Sequence, residues 1–243
     1  MKRFGAALAF ATILFAACGA QDGTGKTKGT LDIKDCWTGD FDLAPDYFAA
    51  MPYRNAIQIR LQRGSDFETF ADGLVILVND TSKIRPGPGF AGRYNQDLPV
   101  SLPPGVVPPG TPIKATPDPA PVHMNVYLQR TCRTLQVSLY AVDGVLLEAD
   151  ETCGQRVATP LDCSSTATPR PVGRSTIRFT HLPSGNIEDS NAAERLVEGS
   201  FDIYLADPRE GCGSGLGPPP CRGHLSGEFR FYYDRTKPAQ PFP

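Results

Sequence analysis

The chain reads as an all-β protein, a β-sandwich with a barrel as the alternative, on three observations. Apolar residues recur with a period of two in several separate runs, stretches rich in Gly and Pro divide those runs, and segments with helical periodicity are few. Among 243 residues, 24 are glycine and 24 proline, the residue types that end regular elements and build turns.

In chain order, Leu31 to Ile33 is the first strand candidate, and Pro45 to Met51 predicts a short helix. Ile57, Ile59 and Leu61 then alternate with Gln58, Arg60 and Gln62, the pattern of a strand with one wet face. Leu74 to Val78 is a continuous apolar run. Val122, Met124, Val126 and Leu128 alternate, as do Leu135, Val137, Leu139 and Ala141, and the short turn around Cys132 between them predicts a hairpin. Ile177 to Phe179, Phe201 to Leu205 and Leu225 to Tyr233 complete the strands. One segment reads two ways. Asn191 followed by Glu194 has the spacing of a capping pair and predicts a helix from Asn191 to Glu198, whereas Arg195 to Leu205 reads equally as one strand bent by a bulge at Gly199.

Between Arg85 and Val122 the alternation stops and eleven prolines are interleaved with glycine. Residues 86–121 therefore read as a long polyproline-like loop within a single β domain of residues 30–236. Lys237 to Pro243 reads as a C-terminal tail and residues 18–29 as a flexible tether.

The first residues carry an address. Lys2 and Arg3 precede the uncharged stretch Phe4 to Ala17, which is too short for a membrane-spanning helix of about 20 residues and fits a cleaved export signal over residues 1–17. Leu14-Phe15-Ala16-Ala17-Cys18 resembles the lipobox of bacterial lipoproteins, with Phe15 where that family usually has leucine. The resemblance implies that Cys18 is acylated and becomes the mature N-terminus. More than one acyl chain, at about 0.8 kcal/mol per buried methylene, makes attachment effectively permanent. Gly19 follows in place of the aspartate that retains members at the inner membrane, so the resemblance implies lipid anchoring at the outer membrane of a Gram-negative envelope. It covers only these residues and implies nothing about the domain behind them.

The other six cysteines, Cys36, Cys132, Cys153, Cys163, Cys212 and Cys221, are an even set in an oxidising compartment and predict disulfides. Ranked by proximity, Cys212 pairs with Cys221 and Cys153 with Cys163, leaving Cys36 with Cys132 as the long-range bond. No Cys-x-x-Cys spacing supports a zinc or redox site.

Charge excludes one class of partner. The formal net charge of −2 becomes −4 once Lys2 and Arg3 are removed, so no basic field attracts nucleic acid. The stretch Ala20-Gln21-Asp22-Gly23-Thr24-Gly25-Lys26-Thr27 fits the loosest form of a phosphate-binding loop, but that chemistry needs a strand before it and a helix after it, and neither is predicted. Asp32, Asp35, Asp40 and Asp42 are candidate calcium ligands, although their spacing lacks the helix-loop-helix signature. His123, His181 and His224 stand on or beside strands with no metal-ligand spacing, and no cofactor is expected. In the last strand Phe229, Phe231 and Tyr233 read as core. Arg230 and Tyr232 lie on its outer face, and Tyr127 and Tyr140 lie on the polar face of the hairpin, so these four are the predicted binding residues.

The sequence thus predicts a lipid-anchored, disulfide-stabilised envelope protein that serves as a non-catalytic binding or structural module, its ligand unspecified and an envelope protein or a glycan the candidate partner. Two other classes stay open: an envelope hydrolase, which needs the histidines to meet carboxylates in one cleft, and an accessory subunit of an export or assembly complex, which needs a large apolar patch.

Overall fold

In a computed structural model, residues 23–64, 71–102, 121–135, 137–146, 152–154, 170–184, 191–210 and 219–233 are described. They form an all-β, sandwich-like fold in place of a closed barrel. The strands are β1 (Gly23–Ile33), β2 (Trp37–Leu43), β3 (Tyr47–Tyr53), β4 (Ala56–Arg63), β5 (Asp72–Val78), β6 (Leu98–Pro99), β7 (Val122–Leu128), β8 (Ser138–Val142), β9 (Gly144–Leu146), β10 (Arg170–Gly173), β11 (Thr176–His181), β12 (Leu196–Ala206) and β13 (Gly223–Tyr232). Eleven of them make one sheet in the order β2-β1-β13-β12-β8-β7-β5-β4-β3, with β11 beside β12 and β6 beside β11, while β9 and β10 form a separate ribbon.

The long strand β12 turns this sheet into two layers. Its first half pairs with β11 from Glu198 to Asp202, whereas only Tyr204, Leu205 and Ala206 pair with β8. The sheet changes direction there and folds back until Phe48 of β3 lies 5.6 Å, ring to ring, from Phe231 of β13. The alternation that predicted strands places Ile57, Ile59, Leu61, Leu74, Ile76, Val126, Ile203, Leu225 and Phe229 in this shared core, each 2% exposed or less. Burying such side chains contributes roughly 1.5–3 kcal/mol each.

Four expectations are corrected. Residues 47–51 are not helical: Tyr47 to Met51 belongs to β3, where Phe48 and Ala50 face the core while Tyr47 and Ala49 are buried on the other side. At the ambiguous segment the helix shrinks to a 3-10 turn over Ala192–Arg195, and the strand reading holds, with a register shift against β11 between Phe179 and His181, opposite Gly199 and Glu198. Gly23 to Gly29 is not part of a tether, because it is the first half of β1 and pairs with Phe231 to Leu225 of β13. The proline-rich loop is structured in part: Leu98 and Pro99 form β6, Val100 bridges Val122, and Leu98 and Val100 enter the core. Residues 103–120 of that loop, residues 1–22 including Cys18, and the tail 237–243 lie outside the described residues.

Cys36 and Cys132 are bonded, with their Cα atoms 5.5 Å apart and 96 positions between them in the chain. Cys153, however, bonds to Cys221 across 68 positions, displacing both short-range pairings; Cys163 and Cys212 lie outside the described residues. The sheet order supplies the reason. Thr30 of β1 donates a hydrogen bond to the Cys153 carbonyl, and its neighbour Leu31 pairs with Gly223, two residues past Cys221. The first and last strands are adjacent, so partners distant in sequence meet.

Candidate functional site

Two outward surfaces carry the predicted binding residues, and they differ in character. The first is the open face of β1, β13, β12 and β11. Ten residue pairs join β12 to β13, from Leu196 with Tyr232 to Leu205 with Gly223, which gives the side chains between them a stiff base. Arg230 lies directly across from Glu198 and donates from Nη1 to its Oε1 at 2.9 Å. Glu198 Oε2 is 3.0 Å from His181 Nδ1, so one carboxylate orients a guanidinium and an imidazole. Partial burial pushes the Glu198 carboxyl up, but the hydrogen bonds from Arg230, Thr180 and His181 together outweigh it and hold the group below the usual glutamate range. Tyr232 follows Arg230 on the same face and is 48% exposed. Beside them a shallow depression is lined by Thr24, Lys26, Thr180, Ser200 and Glu228, with Lys26 paired to Glu228 at 2.9 Å.

At the far end of the same face the ring of His224 stacks on Tyr204, 4.3 Å between centroids and 3° from parallel, and its Nε2 meets Asp202. The β9–β10 ribbon lies over Tyr204. Gly144 and Gly173 pass so close to the Tyr204 ring that neither position has room for a Cβ.

The second surface is the outer side of β3, β4, β5 and β7. There the structure corrects the expectation for Tyr127, which is 8% exposed and is no open stacking platform. Its ring lies flat over Gly73 of β5, reaching from β7 to β4. Arg60 Nε donates to the Tyr127 hydroxyl at 2.8 Å, and that hydroxyl donates to Gln62 Oε1 at 3.0 Å. Burial pushes the Tyr127 phenol above its ordinary value, and the Arg60 charge opposes that shift. Arg60 and Gln62 are themselves 8% and 2% exposed, so the face predicted to be wet is covered. Asp72, also buried, accepts from the Arg130 and Thr131 amides at 3.0 Å and from Thr131 Oγ1 at 2.7 Å. Tyr140 is half-buried on β8, opposite Asn125. The four predicted binding residues therefore do not converge.

The candidate calcium ligands separate as well. Asp32 is buried on β1 and accepts from Thr38 Oγ1 at 3.0 Å, Asp35 sits in the β1–β2 turn, Asp40 pairs in register with Thr30, and Asp42 lies 3.5 Å from Lys28. Among the described residues no three His, Cys, Asp or Glu side chains gather as a metal-ligand set. The histidines do not share a cleft either. His181 and His224 attach to Glu198 and Tyr204, six residues apart on β12 and thus about 20 Å along the strand. His123 is buried on β7, where Nδ1–H donates to the Ser101 carbonyl at 2.7 Å and Nε2 accepts from Asn79 at 3.0 Å. A carbonyl can only accept, so Nδ1 carries a hydrogen and the ring is held in place from both sides. Gly25, Lys26 and Thr27 lie mid-strand in β1 with no helix after them, so the loop resemblance to a phosphate site has no structural counterpart.

The chain matches no protein family, no curated protein and no solved structure. Functional argument therefore rests on these side chains alone.

Proposed function

We propose that this protein is a lipid-anchored, disulfide-stabilised component of the outer envelope of a Gram-negative cell, acting as a non-catalytic binding module through the β12–β13 face. The observation that carries the reading is the pairing of exposed Tyr232 with Arg230, whose guanidinium is held by Glu198 on the longest stretch of antiparallel pairing between β12 and its neighbours. A tyrosine ring and an oriented cation on a stiff sheet lose little freedom on binding, which favours recognition of a sugar or a peptide. The lipobox resemblance around Cys18 supports the anchor, and the two disulfides fit an oxidising compartment. Envelope proteins and glycans are the partner classes this surface suits.

Native mass spectrometry of the protein, extracted in mild detergent from its host's membranes, tests both halves. The expected species carries acyl chains on Cys18 and a co-purified glycan or protein that is lost in an Arg230→Ala, Tyr232→Ala variant. An unacylated protein overturns the anchor. A partner retained by the double variant overturns the assignment of the face.

A further inference from the structure

Covalent reach fixes where the β12–β13 face sits once Cys18 carries acyl chains. Five residue steps lead from Cys18 to Gly23, the first residue of β1, and at about 3.6 Å each they span at most about 18 Å. Thr24, next in β1, pairs with Arg230, which pairs in turn with Glu198, so both stand on strands within about 10 Å of the start of β1. The Arg230 end of the face is therefore held close to the bilayer, whereas the His224 end, opposite Thr30, is about 20 Å further along β1.

The depression at the Arg230 end is electrically balanced. Two ion pairs cross it, Glu198 with Arg230 and Lys26 with Glu228, both at 2.9 Å, and their formal charges cancel. These groups are open to solvent, with 51% of the Arg230 side chain and 62% of Lys26 and of Glu228 exposed. An anion meets two carboxylates there and a cation meets two basic groups, so neither gains a net attraction. A sugar hydroxyl both donates and accepts, and adjacent hydroxyls can bridge a carboxylate and its cationic partner without separating the pair. Thr24, Thr180 and Ser200 add hydroxyls of the same kind. Tyr232, two residues past Arg230 on the same side of β13, supplies an exposed ring for the apolar face of a sugar. The depression has a volume of about 540 Å³, within the range of small-ligand clefts, but it is shallow, so one sugar held there gains little. Confining protein and ligand to one leaflet offsets weak contacts by raising their effective concentration.

We propose that this depression, with Tyr232 beside it, binds the uncharged glycan headgroup of a glycolipid in the leaflet that holds the protein's own anchor. The inference rests on the acylation of Cys18 and on the face assigned under the proposed function, and it adds the chemistry of the ligand and the place where the ligand is presented.

The acylated full chain in phosphatidylcholine vesicles, with and without a diglucosyl diacylglycerol, is treated with an amine-acetylating reagent, and modification of Lys26 and Lys28 is followed by peptide mass spectrometry. Both lysines point outward from β1, but only Lys26 lines the depression. The glycolipid is expected to slow modification of Lys26 and to leave Lys28 unchanged. Phosphatidylglycerol at the same mole fraction, or free maltose at the same total concentration, is expected to leave both lysines at the rate seen in plain vesicles. Ser200→Leu fills the floor of the depression opposite Glu228 without removing either ion pair, and it is expected to restore Lys26 reactivity in the presence of the glycolipid, as is the Arg230→Ala, Tyr232→Ala variant. No protection by the glycolipid, protection that survives Ser200→Leu, or a Lys26 already unreactive in plain vesicles overturns the site. Equal protection by phosphatidylglycerol overturns the ligand class, and equal protection by free maltose overturns presentation in the leaflet. Each of these results leaves the assignment of the face standing if a co-purified partner is still lost with Arg230 and Tyr232, whereas an unacylated native protein overturns the anchor and this inference together.

Discussion

Replacing Gly73 by alanine tests whether the Tyr127 ring organises the covered face. A Cβ at position 73 would fall inside contact distance of Tyr127 Oη and Cζ and 2.8 Å from the Leu61 carbonyl oxygen, and of these only the ring can move. The ring must lift. Overpacking of this kind costs about 1–3 kcal/mol. Lifting also breaks the Arg60–Tyr127 and Tyr127–Gln62 hydrogen bonds, each a net contribution of about 1 kcal/mol. Alanine recovers about 0.5–1 kcal/mol over glycine within a strand. The net expectation is a loss of about 2–4 kcal/mol, measured by urea unfolding with the disulfides intact. In a Tyr127→Ala background the same change meets only the Leu61 carbonyl and costs less, so the double-mutant cycle shows a coupling above about 1 kcal/mol. If Gly73→Ala costs under about 0.5 kcal/mol, or costs as much without the ring as with it, the reasoning fails.

Two further outcomes follow from buried groups. Peptide mapping without reduction is expected to recover Cys36 linked to Cys132 and Cys153 linked to Cys221, and a Cys36→Ser, Cys132→Ser variant should lose roughly 4–5 kcal/mol in the chain-entropy account of a loop spanning 96 positions. Recovery of Cys153 with Cys163 would refute the β1–β13 adjacency argument. Thr27 is 1% exposed and its Oγ1 has no hydrogen-bond partner among the described residues, so Thr27→Val is expected to stabilise the protein by about 1–2 kcal/mol in the same urea assay, and a loss of stability would show that the hydroxyl is partnered.

Period-two alternation revealed the strands in which apolar residues alternate with polar ones, as at Ile57–Leu61 in β4, Val122–Leu128 in β7 and Leu225–Tyr233, which ends one residue past β13. It failed where apolar side chains cover both faces. Tyr47 to Ala50 is buried at four consecutive positions, so its pattern has no period and its alanines read as helical. It failed again where glycine takes the inward positions: Gly23, Gly25 and Gly29 look like a tether, yet they alternate with Thr24, Lys26 and Lys28 along a strand held by β13. The acidic cluster hid β2 for a related reason, since Asp40 and Asp42 occupy the exposed side of an edge strand, where charge guards an open edge. At the binding residues, face was legible and cover was not. Tyr127 does point away from the core, but nothing local records that a glycine on the adjacent strand draws its ring flat.

Non-local pairing by β12 and β13 links these results. In sequence, β12 is a run of eleven residues with an inward glycine, unremarkable beside its neighbours; in the sheet it pairs with β13, β11 and β8 and makes the corner between layers. Glu198 pairs in register with both His181 and Arg230 because β12 is flanked there by β11 and β13, and Tyr204 meets His224 and the β9–β10 ribbon because β8 has replaced β11 as its neighbour by that point. β13 in turn carries Cys221 to β1 and so decides which cysteine Cys153 can reach. Disulfide pairing, the oriented Arg230 and the separation of the histidines are all consequences of strand neighbours far apart in the chain. Proximity along the sequence carries no information about them.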